Sequence, residues 1–245
     1  MTVLARLTRL ELKLFLREPL TVLFSLALPL TVLFVMGGVF GNEAEADFYR
    51  GVGAMDYYVP AYVALVAAAV SLISLPAHIA GDRERGVLTR YRASSMAAWT
   101  VVGSQVIATF VIAAASAAVL VAVAVPVYGV VAPDSLWRIA AGFVLLGLMM
   151  AALGVLLGAV LPTARAAQAM GVMLWFVMLM VGGAGPPPEV LSGAMGTVGD
   201  LMPLRQAVRI MQDGWLGLDA GLSWLIAALV LGASAALSLR FFRWE

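Results

Sequence analysis

A single histidine, a single lysine and no cysteine confine the chemistry open to this 245-residue chain. His78 lies one helical turn after Ser74, and a serine activated by that histidine is the one nucleophilic pair worth testing. Acyl transfer also needs oxyanion donors and a path for substrate, which two residues on one apolar helix do not supply; local hydrogen bonding is the ordinary use of this spacing. The triplet Val198-Gly199-Asp200 carries half the pattern of an intramembrane aspartyl protease, but the earlier glycine is missing and no second aspartate lies inside an apolar segment. One histidine without cysteine cannot build the usual zinc site. Lys13 is the only lysine, so the phosphate loop G-x-x-x-x-G-K-[ST] cannot be written anywhere in the chain. Work driven by a nucleotide would therefore draw on another polypeptide.

The informative polar residues gather in three stretches. Gly81–Met96 reads GDRERGVLTRYRASSM, where Asp82 is placed to cap a short helix with Val87, Leu88 and Tyr91 on its apolar side. A basic loop that only fixes orientation needs no Asp82 or Glu84. Acids and bases mixed in one amphipathic turn between Gly81 and Gly86 argue against a loop that serves retention alone. In Val3–Glu18, Arg6, Arg9, Lys13 and Arg17 recur at helical spacing beside Val3, Leu7, Leu10 and Leu14, with Glu11 interrupting the apolar face. Such a helix lies along a membrane interface, either as an anchor on anionic lipid or also as a contact for a partner. Gly182–Gly221 opens with GGAGPPPEV, which must end a helix sharply. Two amphipathic pieces follow, about Glu189–Val198 and Leu204–Trp215, too short to span and suited to re-entrant or interfacial helices. Arg205 and Arg209, one turn apart, can pair with Asp200 or Asp213 at the surface, or handle substrate directly.

The elements that hold these stretches follow from composition. The chain is 63% hydrophobic and 12% charged, so water is not its main solvent. Six apolar segments reach bilayer length, at Leu20–Gly41, Tyr57–Ala80, Ala98–Val127, Leu136–Leu161, Ala166–Ala184 and Leu222–Leu239. An all-α polytopic membrane protein of one domain, residues 1–245, is the expected fold. The first segment is too long for the apolar part of a cleaved signal peptide and is expected to be retained. Pro29 and Pro76 each remove a hydrogen bond inside a span without ending it. Arg6, Arg9, Lys13, Arg17, Arg83, Arg85, Arg90, Arg92, Arg165, Arg240 and Arg243 all fall on one side, against Arg50, Arg138, Arg205 and Arg209 on the other. Basic residues are retained in the cytoplasm, so both termini are expected there. Tyr57, Tyr58, Trp99, Tyr128, Trp137, Trp224 and Trp244 sit where an interfacial aromatic belt falls. Gly147, Ala151, Gly154 and Gly158 form a small-residue stripe on the fourth segment, expected to pack within one subunit. The span interiors carry essentially no ionisable groups, which argues against a proton- or sodium-coupled carrier.

Taken in order, these features resemble the membrane subunits of ABC-2 type transporters, the exporter permeases that include the daunorubicin-resistance permeases. The likeness rests on a basic amphipathic helix ending at Arg17-Glu18-Pro19, two spans, the RERGVL of Arg83–Leu88, three further spans, the Pro-rich segment, MPLRQAVRIMQDGWLG at Met202–Gly217, and a last span ending in basic residues. It implies that Asp82, Arg83, Glu84, Arg85, Gly86, Val87 and Leu88 form a coupling helix that contacts a nucleotide-binding subunit. It implies two copies of that subunit holding ATP and Mg, no cofactor on this chain, and a second permease chain, identical or paralogous. The setting is lipid of the inner or plasma membrane, and nucleic acid is not an expected partner. An amphipathic, drug-like or lipid-linked substrate suits a pathway with so few charges. Family members often carry a proline shortly after the coupling motif, whereas Ser94, Ser95 and Met96 stand in that region here. An intramembrane protease and a non-transporting structural membrane protein are the competing readings.

Overall fold

The computed structural model describes residues 3–15, 17–44, 48–93, 97–191 and 193–241. Glu45, Asp47, Ser94–Met96, Arg243 and Trp244, and the side chains of Arg92 and Trp99, lie outside the described residues. Helix follows helix, and the extended pairing among the described residues is one antiparallel bridge between Ala44 and Gly53. Six helices are long and apolar enough to cross a membrane.

Helix α1 (Val3–Phe15) precedes the first span, which is built from α2 (Pro19–Val22), a π-helical turn (Leu23–Ala27) and α3 (Leu28–Phe40). The second span is α4 (Ala54–Ala69), a second π turn (Val70–Ser74) and α5 (Leu75–Glu84), followed by the short α6 (Val87–Ala93). The third to fifth spans are α7 (Ala98–Tyr128), α8 (Leu136–Val160) and α9 (Ala164–Val181). After α10 (Ala194–Leu201) and α11 (Pro203–Leu216) comes the last span, α12 (Gly221–Phe241). One end of the bundle, the base, gathers α1, residues 82–93 and the turn between α8 and α9. The other end, the crown, gathers α10, α11 and the remaining loops.

Three boundaries differ from the sequence expectation by about a turn, the first being the start of the second span at Ala54 rather than Tyr57. The second span continues past Ala80 to Glu84, because Asp82, Arg83 and Glu84 find partners on α7, α8 and α9 rather than in water. The fifth ends at Val181 rather than Ala184, where Gly183 takes a φ of +85° that turns the chain across the crown. Pro29 and Pro76 each follow one of the π turns by a residue or two. The widened turn accommodates both the missing donor and the crowded carbonyl four residues earlier, so each helix continues.

The second span is the axis of the fold. Its most apolar stretch is 94% buried, against 22% in the first and last spans, where Leu23, Leu225 and Leu229 among others face outward. Spans three, four and five and helix α11 all pack on it. Close approach is made by glycine. A Cβ on Gly154 of α8 would fall 1.9 Å from the carbonyl oxygen of Ser71, and one on Gly171 of α9 would fall 1.8 Å from that of Leu72. Both oxygens belong to the π turn ahead of Pro76, and Leu72 is the carbonyl that the proline leaves without its usual donor. Along the same α8 stripe Gly158 meets Ile79 and Pro76, and Gly147 meets the ring of Phe110, so the small residues serve packing inside the subunit. Trp175 is buried with its Nε1 donating to the Leu65 carbonyl at 3.2 Å, while its neighbour Phe176 faces outward.

Gly171→Ala should destabilise the fold by about 1–3 kcal/mol, the usual cost of overpacking. Gly38→Ala, where an added Cβ meets nothing within 4 Å, should be neutral or stabilising. Thermal unfolding of the two variants in one detergent checks the contrast.

Candidate functional site: the base and the crown

At the base, α5 runs straight into the charged motif. Asp82 therefore lies in the last turn of the second span and is not the cap of a new helix, contrary to the sequence expectation. The break comes at Gly86, whose φ of +66° is the left-handed conformation that favours glycine, and α6 begins at Val87. Arg83 turns inward to the end of the fourth span. Its Nη1 donates to the carbonyls of Gly158 and Ala159 at 3.1 and 2.9 Å, and its Nη2 to that of Leu161. Glu84 reaches the start of the fifth span, where its Oε2 accepts from the backbone N–H of Ala164 at 3.1 Å beside the Thr163 cap. A cation thus closes the carbonyl end of α8 and an anion closes the amide end of α9, each the charge that its helix dipole favours. Asp82 accepts from Gln105 Nε2 of α7 at 2.8 Å and from Arg85 at 3.0 Å. Of the seven motif residues, Leu88 is buried and Glu84 and Arg85 are the exposed ones, with Thr89 and Arg90 continuing the exposed face of α6.

Helix α1 lies along α7 with Arg6, Arg9 and Lys13 exposed, as is Arg17 beyond its end. Glu11 does not interrupt an outward apolar face; it is buried, at 5% exposure, and turned toward the second span. There His78 stands between two carboxylates, with Nε2 2.6 Å from Glu18 Oε1 and Nδ1 3.8 Å from Glu11 Oε2, its ring packed on Phe15. The histidine thereby ties α1 and the start of the first span to the second. Burial, reinforced by the Asp82 charge, pushes the Glu11 carboxyl above its ordinary range, while His78, Gln105 and Arg85 pull it back.

The crown is closed by α11, which is buried along most of its length against α4, α8 and α12. The piece expected over Glu189–Val198 is instead a single 3-10 turn at Pro188–Val190 followed by α10, because Gly193 at φ +56° separates them. Arg209 donates to Asp200 at 2.9 Å, and Arg205 lies 3.6 Å from the same oxygen. Asp213, the other expected partner, takes Arg138 at 3.1 Å and the Trp224 indole at 2.9 Å. Tyr57 and Tyr58 donate to the carbonyls of Gly183 and Gly185, which anchors the glycine-proline loop to the head of the second span. Asn42, singled out by no sequence pattern, receives the amides of Met55 and Asp56 and so starts that span.

Between the first and fifth spans an open, almost wholly apolar groove of about 790 Å3 runs along Phe24, Leu28, Trp175 and Phe176, with Arg165 and Gln168 at its base end. The sequence profile of the ABC-2 type transporters matches residues 2–216. The chain belongs to the ABC-2 type transporter family. No curated protein matches it closely. It is thus a permease component of an ABC transporter, a multi-pass membrane protein whose part is transport and not catalysis.

A carboxyl raised by burial keeps its proton longer in the folded permease than in the unfolded chain. Its contribution to stability is therefore lost as the pH climbs from about its ordinary value of 4.5 through the folded value. Glu11→Gln should remove that loss, so the melting temperature of the variant relative to the parent should rise as the pH climbs from about 4.5 and level off once the folded carboxyl has ionised. A difference that stays flat or falls would contradict the buried carboxylate.

Proposed function

We propose that this permease is the transmembrane part of an ATP-driven exporter, working with two copies of a separate nucleotide-binding subunit that dock at the base. The observation that carries the reading is that α6 follows the axial helix after a turn of only two residues, Arg85 and Gly86. Exposed Arg85 lies just before Gly86 and exposed Thr89 and Arg90 just beyond it, and the helix before Gly86 is the one on which the other spans pack. A push on α6 therefore reaches the bundle without crossing a flexible linker. Glu84 and Arg83 keep the turn between α8 and α9 attached to the same lever. ATP and Mg would be held by the partner, since this chain has no phosphate loop.

The groove between the first and fifth spans suits an amphipathic, drug-like or lipid-linked substrate, with the apolar part against Trp175 and Phe176 and a polar part near Arg165. Its open side suits a second permease chain, identical or paralogous, across a shared path. The excess of arginine at the base supports placing the base and both termini in the cytoplasm of the cell membrane.

The permease should copurify with an ATPase that bears a phosphate loop. Arg90→Glu, on an exposed position that caps no helix, should weaken that association at least fivefold while leaving insertion intact; unchanged association and transport would remove α6 from the docking surface. The chain lacks cysteine, so single-cysteine variants report sidedness directly. Cysteine at Glu189 should react with an impermeant thiol reagent from outside intact cells, and cysteine at Arg90 only after lysis. The opposite pattern inverts the topology.

A further inference from the structure

At the crown, three separate parts of the chain enclose a polar cavity of about 190 Å3. Arg50 comes from the loop ahead of the second span, Glu189 from the proline-rich loop, and Arg205, Arg209 and Gln212 from α11. Arg205 is the unusual member. It is 3% exposed, yet its Nε has no hydrogen-bond partner among the described residues. The nearest carboxylate oxygen, on Asp200, stands 3.6 Å away and already accepts from Arg209 at 2.9 Å. A guanidinium presents five donors in a planar fork, and one held out of water with a donor unmet is a site short of an acceptor. Burial presses the Arg205 pKa below its ordinary value, an effect that Asp200 opposes and the Arg209 charge augments.

The charge balance selects the ligand. Three arginines stand against Glu189 in the cavity wall and Asp200 behind it, which leaves one positive charge in excess. Inorganic phosphate and phosphomonoesters carry close to two negative charges at neutral pH, and the second would meet Glu189. A phosphodiester carries one. Its tetrahedral oxygens also suit cations that converge from a loop and a helix, where a planar carboxylate would engage one fork only. Arg50 is held toward the cavity by consecutive positive φ angles at Tyr49 and Arg50, 54° and 59°, with Tyr49 packed among Phe40, Tyr57 and Tyr58.

We propose that this crown cavity binds a phosphodiester monoanion, with Arg205 as the buried anchor and Arg209 and Arg50 closing on it from the rim. The ligand is either the headgroup of a membrane phospholipid or a soluble phosphodiester, and one set of measurements separates them. The purified full chain in neutral detergent is titrated with short-chain phosphatidylglycerol, the diacylglycerol of the same chains, glycerophosphoglycerol and inorganic phosphate. Phosphatidylglycerol should bind at least tenfold more tightly than diacylglycerol. Arg209→Gln and Arg50→Gln, both at the accessible rim, should each reduce that preference about fivefold without changing diacylglycerol binding.

Arg205→Lys should reduce the preference most, in protein whose helix content and elution are unchanged. Phosphatidylglycerol binding above glycerophosphoglycerol supports the site and makes it a lipid site; equal binding of the two supports the site and makes the ligand soluble. Equal binding of phosphatidylglycerol and diacylglycerol, a preference that survives both rim substitutions, or inorganic phosphate binding more tightly than either phosphodiester overturns the proposal. The assay needs no ATPase, so its failure leaves the docking of the nucleotide-binding subunit untouched, and the reverse holds.

Discussion

Backbone meets backbone at the middle of this protein. Gly154 and Gly171 lie against the Ser71 and Leu72 carbonyls of the second span with no room for a side chain between them. In lipid there is little hydrophobic force to draw helices together, because the tails outside are as apolar as the residues inside. Association then rests on close packing, and glycine permits the closest. The point of contact is also where the second span is least regular, since the helix widens there into the π turn before Pro76. Neighbouring helices that lacked glycine there would be held off by the widened turn. The irregularity of one span and the glycines of two others are thus a single feature, and it fixes where spans four and five can sit.

Polar groups finish what the glycines begin, and they do so at the ends. Arg83 and Glu84 are adjacent on one helix and close the facing ends of two others, so that three helices share one set of hydrogen bonds. His78, Glu18 and Glu11 fasten the interfacial helix to the same axis from another side. At the crown, Asp213 with Arg138 and Trp224, and Tyr57 and Tyr58 with the glycine loop, hold α11 and its preceding turn over the bundle. Charges stay out of the apolar middle, where each would cost about 2.5–3.5 kcal/mol on insertion scales. For an ABC-2 permease the outcome is a body whose helix ends are fastened to one another at base and crown and whose side groove is left open.

Much of this was legible in the sequence, and the reasons for the rest are specific. Span existence is a long-range average over about 20 residues, so hydropathy placed all six, and Arg205 with Asp200 was within reach of helical spacing. The inward turn of Arg83 was not, because its acceptors lie 75 to 78 residues further along the chain and are backbone carbonyls that any residue type could supply. Asp82 looked like a cap because its flanking glycines resemble a helix boundary, yet only Gly86 takes a positive φ. Glu11 read as an interruption of the apolar face of α1, because nothing local announced His78 and Gln105 across from it.

The length of the second span has a mechanical meaning. Its 31 residues make a rod of roughly 46 Å at 1.5 Å per residue, whereas the hydrocarbon layer is about 30 Å deep. The tip that bears Arg83 and Glu84 is the charged one and the one suited to stand clear of the greasy layer, while the first turn is tied down at the crown by Asn42. The joint between helix ends accordingly works in a wet, ion-rich surrounding, where its bonds can be traded for water at small expense. Rigidity in the oily interior and renegotiable contacts at a protruding tip are what a rod needs if it is to be gripped from below.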